Sequence, residues 1–418
     1  MFVNKSMLVN KKEFLLLTYG LIFMLLLSMD KPQVHVSGMA FRLSFLAFFV
    51  IFLVQKSKIR ISREDLFFFL SFIVFSLPSL VYSENLIKSI IYIFWMFFLF
   101  LCISGVATTI PLDNGKFRFF FKGIIISYRV QIIASFFVVL FGFQSRASGL
   151  LYEPSYFSLY LIPYLMFVLY SVIVDKKYMF FDLFVLCLFV HSSKSATMFL
   201  SIGISLAVIL TFASKRKLVT LLKILVLAMV ILGALQINKA VNPGGLVSIT
   251  YSKMVDSKTD SGALIYFLAR TGNRWPRAQL AYEVAKSNPL GVGIGTYTAH
   301  IENNRNYPVL KKKWPWFLNP EGYPAINMYL QIAATCGWLV CFIFVIWNIR
   351  LFIVLKSVDM KEFKILGLSF IVLCLSLNIE SNYMRPYFWF LVGTSMLARN
   401  YARIKSKSQC DFDSLIIE

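Results

Sequence analysis

Negative charge is scarce in this chain: 20 Asp and Glu stand against 42 Lys and Arg, giving a formal net charge of +22, and histidine occurs only 3 times in 418 residues. No Cys/His spacing suggests a metal site and no carboxylate cluster suggests a bound cation, so no cofactor is expected. Of the six cysteines, Cys102, Cys187, Cys336, Cys341 and Cys374 lie in or beside apolar runs and Cys410 lies in a basic tail. The longest polar stretch has none, which argues against a disulfide framework. A secretion signal is also missing. The first apolar run is followed by Ser28-Met29-Asp30-Lys31-Pro32 rather than by small residues, so it reads as a retained helix. With no internal repeat and no low-complexity linker, residues 1–418 read as one domain.

What the chain has in abundance is apolar surface. It is 58% hydrophobic and 17% aromatic, with mean hydropathy +0.72. A soluble fold could not hide that much, whereas a bilayer solvates it. A membrane span needs ~20 mostly apolar residues. Such runs lie near 13–29, 39–54, 66–82, 86–110, 123–142, 155–174, 179–192, 195–213, 218–237, 325–349, 364–378 and 386–400. The expected fold is therefore all-α and integral to the membrane, with about twelve transmembrane helices.

Connectors alternate in character. One set is basic, as in Lys56/Lys58/Arg60/Arg63, Lys116/Arg118/Lys122, Lys176/Lys177, Lys215/Arg216/Lys217, Arg350/Lys356/Lys361/Lys364 and Arg399/Arg403/Lys405/Lys407. Short connectors of the other set carry isolated charges. This asymmetry assigns the basic set and both termini to the cytoplasm, and parity puts the one long loop, 238–325, outside. It also explains most of the net charge without nucleic acid. The loop carries eleven basic residues against five acidic ones, so it asks for an anion.

Three constellations can carry chemistry. Arg146 and Glu153 share the connector after the fifth span, beside the hydrocarbon, where charge is costly and is either functional or paired. A structural ion pair is the plainer reading, with Pro154 opening the next helix and Glu153 favouring its dipole. In the long loop, Thr271, Gly272, Asn273 and Pro276 predict a helix starting near Arg274 and stopping at Asn288-Pro289. Arg274 and Arg277 would share a face of its first turn, with Arg270 just ahead. Guanidinium forks and backbone N–H groups would then converge as they do on a diphosphate; a solvated basic helix end is the alternative. Asn327 and Gln331 share a face where the tenth span begins, which serves a substrate or interhelical hydrogen bonding alike. Lys194, Glu380 and Arg385 could line the same cavity, and His300 reads as incidental. Gly291-Val-Gly-Ile-Gly295 lacks a βαβ context and reads as a turn back toward the membrane.

Together these segments resemble the superfamily of O-antigen polymerases and O-antigen ligases. The resemblance rests on Arg146-x-x-Gly149 with Glu153-Pro-Ser, on Asn288-Pro-Leu-Gly-Val-Gly293 after the arginine helix, and on Asn327-x-Tyr-Leu-Gln331 with Gly337. It implies a metal-independent, GT-C-type glycosyltransferase of the bacterial inner membrane with a helical periplasmic loop. The implied donor is an undecaprenyl-diphosphate-linked oligosaccharide. Membrane lipids and a chain-length regulator protein are the other implied partners. The functional arginines map onto Arg146 and Arg274, with Arg270 and Arg277 as neighbours, and Glu153 is the candidate for activating a sugar hydroxyl. Ligases carry a histidine where this chain has Ile326, which favours polymerase over ligase. A flippase of lipid-linked sugars is the rival from another class; the absence of matched halves counts against it.

Overall fold

The computed structural model describes residues 5–36, 39–177, 179–213, 273–312, 318–381 and 383–416. The ninth expected span at 218–237, the loop segment 238–272 with Arg270, and Lys313 lie outside the described residues. The described part is helical apart from one short antiparallel hairpin.

The helices are α1 (Lys5–Ser28), α2 (Ser44–Gln55), α3 (Arg63–Ser76), α4 (Leu86–Phe98), α5 (Asn114–Leu140), α6 (Pro154–Tyr160), α7 (Ile162–Ile173), α8 (Phe180–Ser193), α9 (Ala196–Val208), α10 (Arg274–Ser287), α11 (Tyr297–Asn303), α12 (Met328–Cys336), α13 (Trp338–Ser357), α14 (Lys361–Ser376) and α15 (Pro386–Ile416). Strands β1 (Gln33–Val36) and β2 (Met39–Arg42) form the hairpin.

Among the described residues four helices are long and apolar enough to cross a membrane: Arg63–Tyr82, Leu86–Gly105, Gly115–Leu140 and Trp338–Ser357. A fifth crossing arises if α6 and α7, bent by 49°, form one span. Phe180–Ser193 and Thr197–Ala213 are shorter apolar helices. Such surfaces make this an integral membrane protein.

Three expected spans have different boundaries in the structure. The hairpin occupies the start of the second, because Arg42 is held by Asp30 (3.0 Å) instead of entering hydrocarbon. The sixth is broken at Leu161, two residues before Pro163, whose ring removes a backbone donor and crowds the preceding turn. The tenth is two helices, α12 and α13, divided at Gly337 with φ 98°.

Local signals explain several starts. Ser62 caps α3 by accepting from the Asp65 backbone N–H (3.1 Å), and Glu64 and Asp65 favour its positive end. Asn85 caps α4 through the Lys88 N–H (2.9 Å). Packing takes over from there. Helices α1 and α5 cross backbone to backbone, since a Cβ on Gly123 would lie 2.0 Å from the Leu17 carbonyl oxygen. A buried aromatic group of Phe69, Phe100, Trp347 and Trp389 fills the centre, with the two Phe rings stacked at 4.0 Å.

The segment after α10 is laced to the bundle. Val292 and Gly293 donate backbone N–H groups to Ala334 (2.9 Å) and Thr335 (3.0 Å) at the end of α12. Side chains at Gly291 or Gly337 would enter the opposing backbone, at 2.5 Å from the Thr335 oxygen and 2.8 Å from the Pro289 oxygen. Ser89 on α4 donates to the Ile294 carbonyl (2.8 Å). His300, buried, meets the Tyr307 hydroxyl (2.8 Å), and Asn288 donates to the same hydroxyl (3.1 Å). Its other ring nitrogen faces Glu84 (3.4 Å). His300 is therefore part of a latch, and burial holds its pKa below the usual histidine value while Glu84 pulls it back.

Candidate functional site

Helix α10 begins at Arg274, where the cap residues and Pro276 put it. Asn273 does not cap it by side chain. Its amide donates to the Asn319 carbonyl (3.0 Å) and its oxygen faces Arg277 (3.5 Å). The first turn thus carries two arginines, of which one meets a carboxylate and the other a backbone carbonyl. Arg274 Nη2 meets Glu380 Oε1 at 2.7 Å, with Glu380 almost fully buried and Arg274 partly so. Arg277 donates through Nε to the Pro324 carbonyl (2.8 Å), and its guanidinium lies over Tyr323, 5.4 Å from the ring centre.

The electrostatics here are unbalanced by burial. Desolvation raises the Glu380 pKa above its ordinary value, opposed by Arg274, Arg277 and Arg385 and reinforced by Glu153. Desolvation also lowers the Arg277 pKa, helped by the like charge of Arg274. An arginine remains cationic at neutral pH regardless. The result is a partly buried cluster in which charges interact more strongly than they would in water.

Beside this pair lies a second buried knot. Asp30 accepts from Arg385 Nη1 with both oxygens (2.7 and 2.6 Å), from Arg42 Nε (3.0 Å) and from the Tyr152 backbone N–H (2.9 Å). The Arg385 guanidinium stacks on Tyr156 at 4.0 Å. Asp30 thereby ties the end of α1, the hairpin, the 141–153 connector and the start of α15 into one rigid frame. Its position in the first short connector was visible in the sequence, but nothing there paired it with Arg385.

Glu153 is exposed at the start of α6 and accepts from the Ser155 hydroxyl (3.2 Å); its charge acts on Glu380. Arg146 is not brought to it. Arg146 donates instead to the carbonyls of Ser193 (3.0 Å) and Lys194 (2.9 Å) at the end of α8, where a cation answers unsatisfied carbonyls and the negative dipole end. No ion pair joins Arg146 and Glu153 among the described residues. Asn327 caps α12 through the Leu330 N–H (3.0 Å) and donates to Asn378 (3.1 Å). The Gln331 side-chain oxygen is buried without a partner among the described residues. Ile326 is buried. Among the described residues no three His, Cys, Asp or Glu side chains gather as metal ligands.

A comparison with curated proteins finds no match. Residues 179–345, which include Arg274, Asn327 and the glycine segment between them, are similar to the family described as O-antigen ligase, and this supports the superfamily resemblance drawn from the motifs.

Proposed function

We propose that this chain is a membrane glycosyltransferase of the O-antigen polymerase type, acting on lipid-diphosphate-linked glycans at the outer face of the inner membrane. The observation that carries the reading is the pairing of Arg274 with the buried Glu380 at a half-buried helix start, with Arg277 in the same first turn. A diphosphate is the anion such forks suit. The proposal includes a GT-C-type arrangement of about twelve spans, ~20 residues each, with both termini in the cytoplasm and the α10 end outside.

In this reaction a sugar hydroxyl of one lipid-linked repeat unit attacks the anomeric carbon of another chain. The carbon–oxygen bond to the undecaprenyl diphosphate breaks, and its electron pair leaves on the phosphate oxygen. Arg274 and Arg277 stabilise that developing charge without a divalent cation. Glu380 positions Arg274 through their 2.7 Å pair. Glu153, exposed beside it, takes the hydroxyl proton. Arg146 fixes the connector that carries Glu153, since its donors are engaged by the end of α8. Asn327 and Gln331 offer polar groups to the glycan.

The family match fits a second reading equally, a ligase that passes finished polymer to another acceptor. Ile326 in the place of the ligase histidine argues for polymerase. Deleting the gene in its own cell and analysing the glycans separates them. Single capped repeat units are the expected result. Polymer stranded on its lipid carrier would make the protein a ligase, and unchanged glycans would remove both readings.

A further inference from the structure

A different charged cluster closes the opposite end of the bundle. Arg399 lies thirteen residues into α15, ~20 Å from its start near Arg385. Here α3, α13 and α15 enclose a cleft of about 420 Å³ lined by Glu64, Arg350, Ile353, Val354, Arg399 and Arg403. The inner part is settled. Arg399, with its side chain 9% exposed, donates to Ser62 (2.9 Å) and Glu64 (3.0 Å) and lies 3.3 Å from Asp65. Asp65 also accepts from Trp347 Nε1 (3.3 Å).

The outer part is different. Arg350 and Arg403 are 52% and 55% exposed and lie 3.4 and 3.9 Å from Glu64, with Arg350 also over the Phe68 ring. Among the described residues Arg350, Arg399 and Arg403 face Glu64 and Asp65, three guanidiniums against two carboxylates, which gives the mouth of the cleft a positive surplus. An exposed apolar ridge on α13 leads to that mouth: Leu339, Phe342, Ile349 and Ile353 share one side of the helix and are 55%, 63%, 53% and 57% exposed. Arg350 borders the ridge at its end. A phosphate bound by the arginines would therefore sit at the end of a track for hydrocarbon.

We propose that this cleft binds the phosphate of an anionic phospholipid, with an acyl chain lying along the α13 ridge. Basic pockets between helices at the cytoplasmic face hold lipid headgroups by this combination of charge and apolar contact. The surplus charge selects against zwitterionic lipids, whose phosphate is already neutralised. The ridge selects a lipid over free phosphate. This site is independent of the chemistry proposed at the other end.

Native mass spectrometry of the full-length protein in detergent tests it, with phosphatidylglycerol and phosphatidylcholine offered at equal concentration. Wild-type protein is expected to retain phosphatidylglycerol preferentially, and an Arg350→Gln/Arg403→Gln variant is expected to lose that retention by roughly tenfold while phosphatidylcholine retention is unchanged. Equal retention of the two lipids by wild type overturns the proposal, and this comparison requires no variant to fold. So does a folded double variant with undiminished phosphatidylglycerol retention. Inorganic phosphate that displaces the lipid at millimolar concentration would reassign the cleft to a free anion and overturn the lipid assignment.

Discussion

Two ends of this bundle gather arginines around buried carboxylates, and they do so by different means. At the basic end Glu64 and Asp65 come from the first turn of α3, next to their own cap, and Arg399 reaches them from α15. A helix N-terminus favours acids anyway, so the cluster costs little to form and joins three helices. At the α10 end the carboxylates Asp30 and Glu380 come from connectors rather than from the first turn of a helix. Glu380 is held ionisable only by the arginines around it, and burial still raises its pKa. One cluster fastens helices and leaves charge over at its rim. The other gathers its charges on half-buried side chains, the setting in which the proposed chemistry would gain from fixed positive charge.

The comparison breaks most sharply at Arg274. Arg274→Ala is expected to abolish polymer formation at matched membrane expression, because it removes an anion contact and strands Glu380, a loss in the ~2–5 kcal/mol range of truncated charged pairs. Arg274→Lys should restore little, since the fork is lost. Full activity of the Ala variant, read from glycan ladders, would move the chemistry to Arg277 or off α10.

A smaller effect is expected at Glu380, and pH exposes it. A raised carboxylate pKa means the group takes up its proton at a higher pH than an ordinary glutamate would. If ionised Glu380 positions Arg274, activity falls as pH drops through that raised pKa and is fully present above it. Glu380→Gln should lower turnover and flatten this acid limb. An acid limb unchanged in the variant would remove this positioning role from Glu380.

Arg146→Ala sharpens the contrast from the other side. Losing two carbonyl contacts at the end of α8 should lower stability by about 1 kcal/mol and reduce activity in parallel, as a thermal unfolding scan beside the activity assay would reveal. Complete loss of activity with an unchanged melting temperature would make Arg146 a substrate ligand. The smallest effect expected is none at all. Excess EDTA should leave polymerisation of a purified lipid-linked unit unaltered, because arginines already supply the charge. Restoration by magnesium after EDTA arrest would recast Glu153 as a metal ligand.

Much of this molecule was readable before any fold was known, for reasons that are local. Apolar runs answer to the bilayer one segment at a time, so the membrane class follows from composition. The bounds of α10 match those expected from Pro276 and Asn288-Pro289, because proline acts within a turn or two, although Asn273 does not cap the helix with its side chain. The glycine segment at 291–295 was recognisable as a turn, and its three glycines do take positive φ. Tertiary structure decided which charges meet. Arg274 and Glu380 are 106 residues apart, and Arg385 and Asp30 are 355 apart; no periodicity carries such a pairing. Arg146 could have met Glu153, seven residues away, yet the connector's path delivered it to the end of α8. The split of the tenth span at Gly337 likewise depends on a distant backbone, that of Pro289, pressing where only a glycine leaves room. Hydropathy and capping are properties of a segment, while ion pairs between segments depend on how the helices pack.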